Sequence, residues 1–165
     1  MEPFDAEPDV WVSDLRGRLE ELLDGYRAAL HDSLNGLTED EVRLHLVPSK
    51  TTLLGLVKHV TFVEGVWFDQ AISGRSYAEI GIPTTPAQSF TLTKDDTIAS
   101  VQAAHRRRCE TSRRTMAARN LDAVVDGRGH RTVWAVHLQV LGELAQHTGH
   151  ADILREQILD RRRRQ

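Results

Sequence analysis

The chain has one cysteine, Cys109, in 165 residues, so an internal disulfide framework is excluded. It has no apolar run approaching the roughly 18 residues that span a bilayer, which excludes a helical membrane anchor within it. Its net charge of −3 lacks the basic excess with which general nucleic-acid binders neutralise phosphates. Lysine is scarce, three residues against 18 arginines, a usage typical of GC-rich bacterial genes. The opening MEPFDAEPDV has neither the basic nor the apolar region of a signal peptide, so a cytoplasmic location is expected. No internal repeat is visible, and no stretch alternates like a strand. What is present is 40% hydrophobic residues, enough for one core, and residues 1–165 are expected to form one domain with a solvated basic tail over 161–165.

Four segments carry helical periodicity. The first, from about Val10 to Leu34, repeats Leu15, Leu19, Leu22, Tyr26, Leu30 and Leu34 on one face. The second follows VPSKT and aligns Leu56, His59, Val63 and Val66, which turns His59 inward. A third, capped by Thr93 or Asp95, is predicted to run to about Asn120 with Ile98, Val101, His105, Cys109, Ser112 and Met116 inside. The fourth, from about Thr132 to Leu159, buries Val133, Val136, Val140, His147, Ala151, Leu154 and Ile158. Between the second and third, residues 74–92 hold two prolines, three threonines and two glycines without periodicity, and form the longest loop and a candidate lid. The expected fold is all-α, a four-helix bundle with a long loop between helices 2 and 3.

The segment GELAQHTGHADILRE contains the chemistry that needs explaining. At about 100° per residue, Glu143 and His147 lie about 40° apart on the fourth helix, with His150 just beyond Glu143, all edging the core stripe. An ionised carboxylate there is costly without a cation or several donors. Residues at i and i+4 converge on one point, as when a helix gives two ligands to a metal, and His59 can supply a third, leaving a coordination position open for water or substrate. The alternative is an ion pair from Glu143 to an arginine of the third helix, with His59 and His147 as core histidines bonded to carbonyls. His105 and His137 read as core or rim histidines, Cys109 as a small buried residue, and Trp67 and Trp134 as packing residues. Arg75 and Arg106 to Arg108 are candidates for binding carboxylates, or a solvated face.

VPSKTTLLGLVKHVTFVEGVWF, followed far downstream by HLQVLGELAQHTGHADILREQI, resembles the DinB-like superfamily, in particular its actinobacterial mini-circle-type branch. The resemblance spans most of the chain. It implies a four-helix bundle holding a divalent metal at His59, Glu143 and His147. Histidine is common in relatives at the position of Glu143, and the His, Glu, His set here resembles that of mycothiol-dependent maleylpyruvate isomerase. It also implies a metal-dependent transferase or isomerase using a low-molecular-weight thiol and an electrophilic substrate. The alternative is a non-catalytic metal-binding bundle with a stress or regulatory role. Zinc suits the ligand set best, and nickel, iron and manganese also fit. His150 is expected to orient the site or contact substrate. A homodimer through Val10, Trp11 and Val12 is expected, with no nucleic-acid or membrane partner.

Overall fold

The computed structural model describes residues 14–164. Four long helices carry it: α1 (Leu15–Asp32), α2 (Leu53–Gly65), α6 (Ile98–Ala117) and α7 (Val133–Arg163). The all-α bundle expected from periodicity is the fold observed. A π turn, Val66–Gln70, and a short α3, Ala71–Ser73, extend α2 before Gly74 closes it at φ 73°. Among the described residues no helix is long and apolar enough to cross a membrane.

Local chemistry sets the helix starts. Asp14 caps α1 by accepting from the Gly17 amide, and Thr52 caps α2 by accepting from the Gly55 amide. Thr97, rather than Thr93 or Asp95, caps α6, because its hydroxyl and that of Ser100 form a reciprocal capping box. Thr93 instead binds the Asp96 carboxylate in the preceding turn. The proposed dimer surface at Val10, Trp11 and Val12 lies outside the described residues, as does the expected first turn of α1.

The cross-links between helices give their directions. Arg16 at the start of α1 reaches the Met116 carbonyl near the end of α6, and Arg155 of α7 reaches the Ser33 carbonyl after α1. Lys58 near the start of α2 bonds Asp96 just before α6, and Arg108 further along α6 bonds Asp69 beyond α2. Thus α1 runs alongside α7, and α2 alongside α6, with the two pairs antiparallel. A parallel pair needs a connection that travels back along the bundle, which accounts for the length of the 74–97 segment. That segment is not unstructured: α4 (Tyr77–Ile80) and α5 (Pro86–Ser89) interrupt it. A two-stranded antiparallel hairpin, β1 (Val124–Val125) with β2 (Arg131–Thr132), lies between α6 and α7 and is too short to show alternation in sequence. Gly127 in its turn sits where a Cβ would fall 2.2 Å from the Gln70 carbonyl oxygen, so only glycine lets the hairpin dock on the end of α2. The arginines at 161–163 continue α7 and are exposed, as a solvated basic segment should be, and Arg162 binds both oxygens of Glu41 and the Gly36 carbonyl.

Eleven of the thirteen residues of α2 are buried, so its polar side chains must find partners inside the protein. Glu64, fully buried, receives two parallel bonds from Arg27 of α1, at 2.7 Å from Nε and 3.0 Å from Nη2. The Cys109 thiol donates to Glu64 Oε1 at 3.4 Å, and His105 Nε2 stands 3.6 Å from the same oxygen. His105 Nδ1 is bonded to His31 Nε2 at 2.8 Å. Burial alone would raise the Glu64 carboxyl, but His105 and Arg27 outweigh it and hold it down at about 2. The network ties α1, α2 and α6 together through charge-assisted bonds.

Removing one partner leaves a buried charge, so Arg27→Met should lower unfolding free energy by about 3–5 kcal/mol, while Arg27→Met with Glu64→Leu should recover most of it. Urea denaturation at neutral pH measures both. Because the folded carboxyl lies below its ordinary 4.5, its stabilisation is complete above that value and is lost as pH falls toward 2. The double variant should therefore show a shallower acid limb than the parent.

Candidate metal centre

His59 enters the site from α2 with 6% of its surface exposed. Phe90 lies flat against it, ring centroids 3.9 Å apart and planes 12° from parallel. Its Nδ1 is 2.6 Å from Ser89 Oγ, and that hydroxyl lies 2.5 Å from the Pro86 carbonyl oxygen, which can only accept. The Ser89 proton is thereby committed to Pro86, Nδ1 carries the hydrogen of the shared bond, and Nε2 keeps the lone pair. The α5 turn that delivers Ser89 and Phe90 starts at Thr85, whose hydroxyl accepts from the Gln88 amide, with Pro86 at the first position. It approaches α2 at Gly55, where a Cβ would stand 2.7 Å from the Phe90 carbonyl oxygen. The segment expected as a candidate lid packs against the site at this point.

Glu143 and His147 come from successive turns of α7. His147 is 9% exposed, with neither ring nitrogen hydrogen-bonded, and its ring meets that of His59 edge-on at 4.8 Å. Its Nε2 is 3.5 Å from Glu143 Oε2, while Glu143 Oε1 accepts from Gln139 Nε2 at 3.1 Å. One ligand atom from each of His59, Glu143 and His147 lies within 4.8 Å of the others. Two donors on a tetrahedral ion with bonds of about 2.1 Å stand about 3.4 Å apart, so the Glu143 and His147 atoms are already spaced for it. Two buried ring nitrogens without partners are expensive, and a cation would engage one of them. Burial pushes His59 down to about 3, with His147 adding to the shift. Burial also lowers His147, with Glu143 opposing and His150 assisting. Both imidazoles are therefore neutral near pH 7, the form that coordinates metals.

Several sequence expectations need correction. The Glu143 side chain is 30% exposed, so it is not the strongly desolvated carboxylate its place on the stripe suggested; that residue is Glu64, one helix away. No arginine among the described residues pairs with Glu143. His150 is exposed, with its ring 5.8 Å from that of His147 and no hydrogen bond to the three residues, so Ser89 and Gln139 provide the orienting bonds expected of it. Trp134 is 39% exposed rather than packed. Arg75 and Arg108 are tied to Asp69 at 2.5 and 3.2 Å. Trp67 packs against the core as expected, and also lies under the guanidinium groups of Arg128 and Arg131, at 5.4 and 5.3 Å from its centroid. His105, His137 and Cys109 are buried, as their spacing suggested.

A second group, Glu64, His105 and Cys109, has ligand-type atoms equally close. Arg27 already occupies both Glu64 oxygens, and burial with Glu64 drives the Cys109 thiol far above its ordinary value, away from the thiolate a metal needs. This cluster is satisfied by its own hydrogen bonds. The chemistry concentrates at His59, Glu143 and His147, where donors point together without such closure.

Sequence reasoning missed Ser89, although TTPAQSF contains a signal for it: threonine before proline starts a helical turn and so fixes the position of the serine three residues past the proline. Replacing Ser89 by Ala frees the His59 ring to rotate and leaves Nδ1 unpartnered. Affinity for a divalent ion, measured by competition with a chromogenic chelator, should fall by about 10- to 100-fold with circular dichroism unchanged. Unchanged affinity would remove Ser89 from the site.

A search of the curated proteins finds no match, but a family model described as mycothiol-S-transferase matches residues 18–160, from the first turn of α1 to near the end of α7. That span covers His59, Ser89, Glu143 and His147 alike, and agrees with the DinB-like resemblance of the sequence. The chain belongs to the mycothiol-S-transferase family.

Proposed function

We propose that this chain is a divalent-metal-dependent S-transferase that joins a low-molecular-weight thiol of the mycothiol type to an electrophilic small molecule, with His59, Glu143 and His147 holding the ion. The observation that supports it best is His147: a buried imidazole with both nitrogens unbonded, facing a histidine whose tautomer is fixed by Ser89 and a carboxylate one turn away. Zinc suits two imidazoles and one carboxylate, and nickel, iron or manganese are accommodated by the same set. When bound, such an ion supplies a Lewis acid that lowers the pKa of a thiol brought to it.

The residues of the chain divide the remaining work. His59 and His147 present neutral nitrogen donors, and Glu143 adds one negative charge that offsets part of the ion's. Phe90 and Phe62 flank His59 and exclude water from that side, their ring centroids 3.9 and 5.9 Å from it. A dry wall strengthens electrostatic attraction between an ion and a thiolate sulfur. His150, exposed one turn beyond His147 with its ring 5.8 Å away, is the candidate on this reading for contact with substrate. The only cysteine is buried and bonded to Glu64 rather than to the three ligands, so the attacking sulfur comes from the small thiol.

The charge of Glu143 gives the sharpest test. Glu143→Gln retains the size and one oxygen but not the charge, and should weaken metal binding by at least about tenfold. Glu143→His should keep it, because imidazole serves the same borderline metals. His59→Ala should abolish both metal retention and thiol-dependent consumption of an electrophile such as a chlorinated aromatic or an epoxide. Metal titration together with thiol-consumption assays reads these outcomes. Tight metal binding without turnover for any thiol would leave a metal-binding bundle and exclude the transferase.

A further inference from the structure

At the other end of the bundle from His59, a cavity of about 120 Å³ opens between α1, α6 and α7. It is distinct from the metal centre: His137, which lines it, lies ten residues before His147 on α7, about 15 Å along the axis. Its apolar wall is formed by Leu23, Phe68 and Met116.

Two polar groups in the lining keep hydrogen-bonding capacity unused among the described residues. Ser112 is 2% exposed, and its hydroxyl makes no hydrogen bond. His137 is 1% exposed; its Nδ1 is 3.0 Å from the Val133 carbonyl oxygen, which can only accept, so Nδ1 carries the hydrogen and Nε2 the lone pair. No bond to that Nε2 is formed among the described residues. Phe68 meets the His137 ring at 5.4 Å in an edge arrangement, fixing it in place. The lining thus offers one hydroxyl and one bare acceptor beside an aromatic and aliphatic wall. An unbonded buried hydroxyl costs about 1–3 kcal/mol, so the site favours a ligand that bonds it.

Size and charge narrow the ligand. An apolar cavity of about 150 Å³ takes up benzene, so this volume suits a molecule built on one ring. The charges at the mouth are mutually engaged: Arg113 and Arg27 each bond Asp24 at 2.8 Å, Arg27 is further held by Glu64, and Glu20 is paired with Arg16. Each charged side chain of the mouth thus has an opposite charge beside it, which favours a neutral ligand. We propose that this cavity is a binding site for a small neutral phenol, its ring against Leu23, Phe68 and Met116, its O–H donating to His137 Nε2 and its oxygen accepting from Ser112. Water would meet the two polar groups but leave the apolar wall without contacts. The proposal does not depend on the metal reading, since none of these residues touches the metal centre.

The test is titration of the full chain with phenol, and separately with benzene, followed by calorimetry and by methyl shifts of Met116 and Leu23. Phenol should saturate one site, shift those methyls, and bind at least about tenfold more tightly than benzene. Ser112→Ala should bring phenol down toward benzene, and Ser112→Leu, which fills the space, should abolish binding of both. Should the leucine variant fail to fold, the alanine comparison decides alone. Absence of saturable phenol binding, equal affinity for the two probes, or an alanine variant indistinguishable from the parent would overturn the assignment.

Discussion

The second helix is covered by protein on nearly every side, and much of the rest of the molecule answers that constraint. A helix with eleven of thirteen residues buried leaves little solvent face for polar side chains, yet α2 contains His59 and Glu64. Each has to be satisfied by an element brought from elsewhere. Glu64 is met by Arg27 on α1 and by His105 and Cys109 on α6. His59 is met on one nitrogen by Ser89 of α5, while α7 brings Glu143 and His147 into its neighbourhood. Burial thus forces two polar clusters, separated along the helix by little more than one turn. They differ in closure: arginine completes the first, and in the second the His147 ring nitrogens have no hydrogen-bond partner among the described residues.

That difference separates a structural cluster from a chemical one. Both contain a carboxylate and imidazole, and both bring ligand-type atoms within the same distance. In the Glu64 group the guanidinium supplies the positive charge permanently, in a planar fork matched to carboxylate. Around His147 no arginine or lysine among the described residues is paired with Glu143, and two neutral imidazoles with one carboxylate form a set compatible with a divalent cation. Geometry alone would rank the clusters equally; counting donors, acceptors and charge distinguishes them.

Helix existence was legible in the sequence because long apolar stripes leave few alternatives, and Leu19, Leu30, Val101, Val140 and Ile158 all lie in the core as their spacing requires. The convergence of His59, Glu143 and His147 was legible through i and i+4 spacing and the family resemblance. The buried ion pair was not: Arg27 and Glu64 are 37 residues apart, on stripes whose neighbouring leucines and valines hide them. The degree of burial of Glu143 was also misjudged, because an edge position on a stripe does not fix how far the neighbouring helix extends over it. Ser89 was lost within a segment treated as a loop, where three- and four-residue turns fall below the length at which periodicity can be recognised. The small hairpin escaped for the same reason, its docking depending on Gly127 meeting backbone far away in sequence.

The side-by-side packing of α1 with α7 joins the first described helix to the last. During synthesis, the face of α1 carrying Leu19, Leu23 and Leu30 can acquire its final cover only after the closing segment has left the ribosome. The bundle is therefore poorly suited to vectorial, piecewise folding, although each helix is local. Its slow element is the return of the C-terminal segment along the N-terminal one, a contact of high sequence separation. Until that return, the leucine-rich face of α1 lacks its α7 cover.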